Sequence, residues 1–198
     1  MLRLRLLGTP AVEGGDGPLG GAPAQRKSLA LLALLAVGGD RGVSRDKLLA
    51  YLWPEAEAER AAHRLTQALY ALRRATGADA LFLGSGDLRL NPELVSTDVA
   101  EFHTARHAGD LARAAALYGG PFLDGFFLSG APEFERWADN ERTGLARDYG
   151  ETLETLAAEA AAREDHRSAA DWWRRLADHE PLNSRVTVHL MYALAAAG

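Results

Sequence analysis

The sequence predicts an α+β domain over residues 1–96, followed by an all-α domain over residues 97–198. The first half contains twelve of the twenty glycines and several short apolar runs, whereas the second is rich in Ala, Leu and Glu at helical spacing. Charge separates the same two halves. The first has a net charge of +2 and the second a net charge of −7.

Composition excludes several classes of protein. The net charge of −5 excludes a uniformly basic nucleic-acid-binding protein. Because the chain has no cysteine, it cannot form disulfides, thiolate metal sites or a thiol nucleophile. The longest apolar stretch, residues 28–37, is too short to span a bilayer, and the N-terminus lacks the features of a signal peptide. We therefore expect a soluble cytoplasmic protein without a membrane partner.

The first residues predict two strands and a turn. Leucines alternate with arginines over residues 2–6, which places the leucines on one face of a strand. Residues 11–13 can form a short partner strand, and the glycine-rich residues 14–21 a turn or loop. Since no Lys-Ser or Lys-Thr follows these glycines at the P-loop offset, they do not indicate a nucleotide site.

Three helices are predicted next. Residues 25–37 are apolar nearly all round, which indicates a helix buried on most faces. Ser44 is placed as the N-cap of a second helix that includes residues 47–53. The third helix spans residues 57–76, which contain neither glycine nor proline.

The third helix has one apolar and one polar face. With Arg60 at zero on a helical wheel, the predicted core residues lie between about 80° and 200°; they are Ala61, Ala62, Leu65, Ala68, Leu69 and Leu72. Between about 280° and 40° lies a stripe of hydrogen-bond donors and one aromatic residue, without any acid. We call it the α3 stripe; it comprises Arg60, His63, Arg64, Gln67, Tyr70 and Arg74.

The α3 stripe has two interpretations. It is either the ordinary solvated face of an amphipathic helix or a surface that contacts DNA, since Arg and Gln bond base edges while Arg, His and Tyr hold phosphates. A hairpin follows at residues 80–90, with a turn at residues 84–87. Strands, three helices and a hairpin predict a winged helix-turn-helix with its third helix in the major groove. Arg89 then lies on the wing, and Arg45 and Lys47 are candidate phosphate contacts.

The C-terminal half fits a tetratricopeptide-like pattern from Gly150 onward, with a 34-residue period. The predicted interface positions are Leu153, Leu156, Ala157, Ala160, Ala169 and Trp173, with Pro181 closing the repeat. The next repeat places Thr187, Leu190, Met191 and Leu194 at the first-helix positions. The alternative is an arbitrary alanine-rich helical hairpin. Because this repeat is incomplete, we expect a longer natural chain or an oligomer to cover it.

Short motifs in both halves resemble the Streptomyces antibiotic regulatory protein family. The N-terminal motifs are Leu-Arg-Leu-Leu-Gly (4–8), Gln-Arg-Lys-Ser-Leu-Ala-Leu-Leu (25–32), Val-Ser-Arg-Asp-Lys-Leu (43–48), Leu-Trp-Pro (52–54) and Leu-Tyr-Ala-Leu-Arg-Arg (69–74). Those that resemble the family's bacterial transcriptional activator domain are Tyr-Gly-Gly-Pro-Phe-Leu (118–123), Trp137, Arg142, Leu145, Tyr149, Glu-Pro-Leu (180–182) and Leu-Met-Tyr-Ala-Leu (190–194).

The resemblance implies a transcriptional activator that binds direct repeats in promoter DNA as a homodimer and contacts RNA polymerase. The helix from Arg60 to Arg74 is then the DNA reader. The chain departs from the family's pattern in two places. Family members commonly have a more basic N-terminal domain, and they often carry an acid where Ser184 and Arg185 stand here.

No catalytic constellation is evident, so the sequence predicts a protein that is not an enzyme and that needs no metal or cofactor. His103 and His107 have metal-ligand spacing but no third ligand at a defined offset. Ser129 and Ser184 lack the context of a nucleophile. Two other functions stay open: an interaction adaptor whose winged helix does not bind DNA, and a ligand sensor that uses the aromatic residues 122–128.

Overall fold

The predicted strands, three helices and hairpin of the first half are present in that order, and three further short strands lie among them. The computed structural model describes every residue except Asp16, which lies in the predicted turn at residues 14–21. The strands are β1 (Leu2–Arg5), β2 (Ala11–Gly14), β3 (Gly17–Pro18), β4 (Val43–Ser44), β5 (Phe82–Leu83), β6 (Asp87–Leu90) and β7 (Val95–Thr97). The helices are α1 (Arg26–Gly38), α2 (Arg45–Leu52), α3 (Ala58–Thr76), α4 (Asp98–His107), α5 (Leu111–Leu117), α6 (Pro132–Ala162), α7 (His166–His179) and α8 (Ser184–Ala197).

The strands form two small sheets. One has the order β3-β2-β1-β7, with β1 antiparallel to β2 and parallel to β7. Leu4 is 1% exposed whereas Arg3 and Arg5 are exposed, as the alternating pattern predicts. The other sheet has the order β4-β6-β5. Strands β3, β4 and β7 were not predicted, because strands of two or three residues carry no periodic signal.

The three predicted N-terminal helices are present. Residues 28–36 of α1 are all buried, and the Ser44 hydroxyl accepts a hydrogen bond from the Lys47 backbone N–H at 3.3 Å. The prediction is wrong for one residue of the core face of α3, because Ala62 is exposed. A single methyl group at the edge of an apolar face gains little from burial, so its position is weakly determined.

The chain divides into two compact units. The first consists of Met1–Glu101 and Gly119–Arg142, and the second of Phe102–Tyr118 and Thr143–Gly198. In the first unit the Leu123 N–H donates to the Leu6 carbonyl at 2.8 Å. The division into a domain of residues 1–96 and a domain of residues 97–198 stays a prediction.

Asp98, at the start of α4, is a buried carboxylate of the first unit. It is 3% exposed and accepts hydrogen bonds from the backbone N–H groups of Leu6, Leu7 and Val99 at 2.8–2.9 Å. Burial raises the pKa of Asp98, and this effect exceeds the lowering by the three N–H groups and by the charge of Arg3. The carboxylate thus fastens the end of β1 to the first turn of α4.

Asp98 should also make stability depend on pH. Since its pKa is higher in the folded protein than the ordinary 3.8, the folded protein binds this proton more tightly than the unfolded chain. Protonated Asp98 therefore stabilises the folded protein. This contribution is complete below the ordinary pKa of 3.8 and is lost as the pH rises through the folded-state pKa. We expect the free energy of unfolding of the wild type, minus that of Asp98→Asn, to fall as the pH rises above about 4. Urea denaturation across pH checks this, and a pH-independent difference would contradict it.

The second unit is helical. All six predicted interface residues of the first repeat are buried, from Leu153 on α6 to Trp173 on α7. In the incomplete repeat, Leu190 is half-buried, whereas Thr187, Met191 and Leu194 are exposed. Arg185, which stands where the family often has an acid, bonds the Glu154 carboxylate through two guanidinium nitrogens at 2.5 and 2.8 Å. Glu154 and Arg185 thus form an ion pair in which α8 supplies the basic partner.

Candidate nucleic-acid interface

Helix α3 presents its apolar face to the core and the α3 stripe to solvent. Leu65, Leu69 and Leu72 are at most 4% exposed, which fixes the rotation of the helix about its own axis. The helix ends at Gly77, whose φ of 64° lies in the left-handed region that favours glycine. All six residues of the α3 stripe are exposed, as the wheel predicts.

The α3 stripe is electropositive. Glu57 lies 4.0 Å from Arg60, an ion pair of two largely exposed side chains that contributes little stability. Within the described part of the chain, neither Arg64 nor Arg74 forms an ion pair. The remaining acid of the helix, Glu59, lies in its first turn, where a carboxylate suits the helix dipole. Arg64 and Arg74 are therefore available to an external acceptor.

Two side chains of the α3 stripe bond each other. The Gln67 amide lies 2.9 Å from His63 Nε2, so the amide N–H donates to the neutral ring nitrogen. Among the described residues, the Gln67 carbonyl oxygen accepts no hydrogen bond. Tyr70, one turn further on, is 62% exposed and offers its hydroxyl to solvent.

The start of α2 is tied to the hairpin. Arg45 Nε donates to the Ser85 carbonyl in the β5–β6 turn at 2.9 Å, and this uses one of the five guanidinium N–H groups. The Lys47 ammonium lies 5.5 Å from the Tyr51 ring centroid and is exposed. In the part of the chain that the structure describes, Arg45 and Lys47 both keep side-chain N–H groups without an acceptor.

The hairpin has the geometry of a wing. Strands β5 and β6 pair with Phe82 opposite Leu90, and Gly84 turns the chain with a φ of 87°. A side chain there would collide with the Asp87 carbonyl, so the turn requires glycine. Arg89 is exposed and donates weakly to the Asp40 carbonyl at 3.4 Å.

Lys27 is a cation near the α3 stripe that the sequence does not predict there. The Lys27 ammonium donates to the Leu52 carbonyl at the end of α2 and lies 5.3 Å from the Trp53 ring centroid. Burial lowers the pKa of Lys27, and the charge of Arg64 lowers it further. Its place in the sequence, at the start of an apolar helix, carries no sign of this contact with the turn between α2 and α3.

The remaining candidates from the sequence are a histidine pair, an aromatic segment and two serines. His107 Nδ1 bonds the His103 carbonyl at 2.7 Å, and no group of three or more potential metal ligands occurs among the described residues. Burial lowers the pKa of His103. In the aromatic segment, Phe122 is completely buried as core, whereas Phe127 is 56% exposed. Ser129 and Ser184 are exposed.

Residues 87–198 match the model of the bacterial transcriptional activator domain. The chain belongs to this family. The match confirms the resemblance found in the C-terminal sequence motifs. The family is named for transcriptional activation and not for an enzymatic reaction.

The fold is similar to that of a solved structure, Mycobacterium tuberculosis EmbR in complex with a low affinity phosphopeptide. The TM-score is 0.73 at 22% sequence identity, and the likeness covers 99% of this chain. It confirms the predicted fold class. The chain spans 55% of the length of the EmbR chain.

No curated protein matches the chain in sequence. Each helix of the described residues is too short or too polar to cross a membrane.

Proposed function

We propose that this member of the bacterial transcriptional activator domain family is a sequence-specific DNA-binding regulator and reads its promoter with α3. The observation that carries the proposal is the α3 stripe, in which six exposed donor or aromatic side chains lie on one face with no acid between Arg60 and Arg74. An α-helix fits the major groove, where Arg bonds guanine O6 and N7 and Gln bonds adenine.

The flanking elements supply contacts to the DNA backbone. Arg45 and Lys47 lie in the first turn of α2, and the Arg45–Ser85 bond holds the wing beside them. In this proposal both side chains bind phosphates, and Arg89 on the wing contacts the backbone or an adjacent groove. These contacts set the register of α3 without reading sequence.

The charge of the chain makes affinity modest for one molecule. With a net charge of −5, a single molecule neutralises few phosphates, so its binding should be weak and should fall only moderately with salt. We therefore propose that the protein binds direct repeats in double-stranded promoter DNA as a homodimer, because two linked sites bind far more tightly than one. Contact with RNA polymerase by the helical unit completes the proposal.

Arg64→Ala and Gln67→Ala are each expected to reduce affinity for the preferred DNA site by about 1–3 kcal/mol, because each removes a bond to a base edge. Fluorescence anisotropy on the preferred duplex and on a scrambled duplex measures the loss. The scrambled duplex should show a much smaller change. Arg167→Ala, which removes an exposed arginine on α7, is the matched control and should leave both affinities unchanged. Wild-type affinity in both α3 variants would rule out α3 as the reader.

Selection of bound sites from random DNA, followed by footprinting, identifies the preferred duplex. A direct repeat with a spacing of about one helical turn supports a dimer with two equivalent halves. If no sequence is enriched, the proposal fails and the chain acts through its helical unit alone.

A further inference from the structure

Four side chains of the first unit connect α2 to the beginning of α6. The Lys47 ammonium lies 5.5 Å from the Tyr51 ring centroid, and the Tyr51 and Trp137 ring centroids are 6.4 Å apart. Trp137 in turn bonds the carboxyl of Glu141, one turn further along α6. A proposed phosphate contact and an acid thus lie at the two ends of one aromatic pair.

Both Trp137 and Lys47 act on the Glu141 carboxyl, the first through a hydrogen bond and the second through its charge. Glu141 is half-buried; burial raises the pKa of Glu141, while the Trp137 hydrogen bond and the Lys47 charge lower it. Lys47 and Glu141 are not within ion-pair distance in the described structure, and Lys47 is exposed. The Lys47 ammonium can therefore bind another anion. A phosphate that approached Lys47 would meet the negative charge of Glu141 as well.

We propose that Glu141 restrains DNA binding by opposing a backbone phosphate at Lys47. This inference rests on the proposed phosphate contact of Lys47. The carboxylate attracts the ammonium that the phosphate needs and repels the phosphate itself, so both effects weaken binding. Glu141 lies outside residues 1–96, in the part of the chain that matches the activator-domain model. DNA affinity is then set partly by a residue of that domain.

Glu141→Gln tests the proposal, because the amide oxygen can still accept the Trp137 hydrogen bond while the charge is lost. We expect affinity for random-sequence duplex DNA at low salt to rise on the order of fivefold. The dependence of log affinity on log salt should steepen by up to about one, because Lys47 then neutralises its phosphate without a competing carboxylate. Glu133→Gln removes the same charge from an exposed position on the same helix and is the matched control.

A double-mutant cycle with Lys47→Ala assigns the effect to this pair. In the Lys47→Ala background Glu141→Gln should no longer raise affinity. An equal gain in both backgrounds, or the same gain from Glu133→Gln, would overturn the proposal because it would report net charge alone. Unchanged affinity in Glu141→Gln would overturn it too.

The four proteins of this cycle are the wild type, Glu141→Gln, Lys47→Ala and the double variant. They also distinguish this inference from the proposed function. If none of them binds duplex DNA, the proposed function fails. The midpoints of urea unfolding of the four proteins then still measure the coupling. We expect the two substitutions to shift the midpoint non-additively, and strictly additive shifts would show that Glu141 does not act on Lys47.

Discussion

Phe122→Ala is expected to lower the free energy of unfolding by about 3–5 kcal/mol. The Phe122 side chain is completely buried and packs edge-on against Trp137, with ring centroids 5.8 Å apart. Its backbone also bridges Leu7, so the ring belongs to the core of the first unit although it lies beyond residue 96. Truncation leaves a cavity that this core cannot close without moving the end of the sheet. Chemical denaturation followed by tryptophan fluorescence measures the loss.

Phe127→Ala is the matched control for this prediction. Phe127 belongs to the same aromatic segment but is 56% exposed, so its removal should change the free energy of unfolding by about 0.5 kcal/mol or less. Equal losses from the two substitutions would contradict the packing described here, because they would mean that Phe122 has no special place in the core.

Asp98→Ala is expected to destabilise the protein by about 3 kcal/mol. The change leaves the backbone N–H groups of Leu6, Leu7 and Val99 without their acceptor, and a buried donor without a partner costs the full loss of its hydration. The Leu6 and Leu7 side chains, both buried, depend on this end of β1. Urea denaturation at neutral pH measures the effect.

Asp110→Ala provides the comparison for Asp98→Ala. Asp110 caps α5 through a single hydrogen bond to the Arg113 N–H at 3.2 Å and is exposed. Its removal should cost about 1 kcal/mol, the usual effect of losing a helix cap. A loss at Asp98 no larger than that at Asp110 would show that water satisfies the three N–H groups.

Much of the fold could be predicted from local sequence patterns. The period of α3 determines both its buried leucines and the exposure of Arg64 and Gln67, because one rotation of the helix fixes both faces. The Ser44 cap and the hairpin around Gly84 follow from equally local rules.

What the sequence could not reveal depends on residues far apart in the chain. Lys27 meets the end of α2, and Asp98 meets residues more than 90 positions away. The bonds that Asp98 accepts from the chain after β1 have no sequence signal. The same holds for Glu141, whose significance depends on the packing of Trp137 beside Tyr51.

The bond between His63 and Gln67 has a consequence for DNA recognition. Since the Gln67 N–H groups and one His63 nitrogen are held together at 2.9 Å, Gln67 approaches a base already oriented, with less side-chain freedom to lose on binding. Replacement of His63 would release that orientation even if His63 itself never touched DNA. The two residues should therefore behave as a single recognition element, whose substitutions do not add.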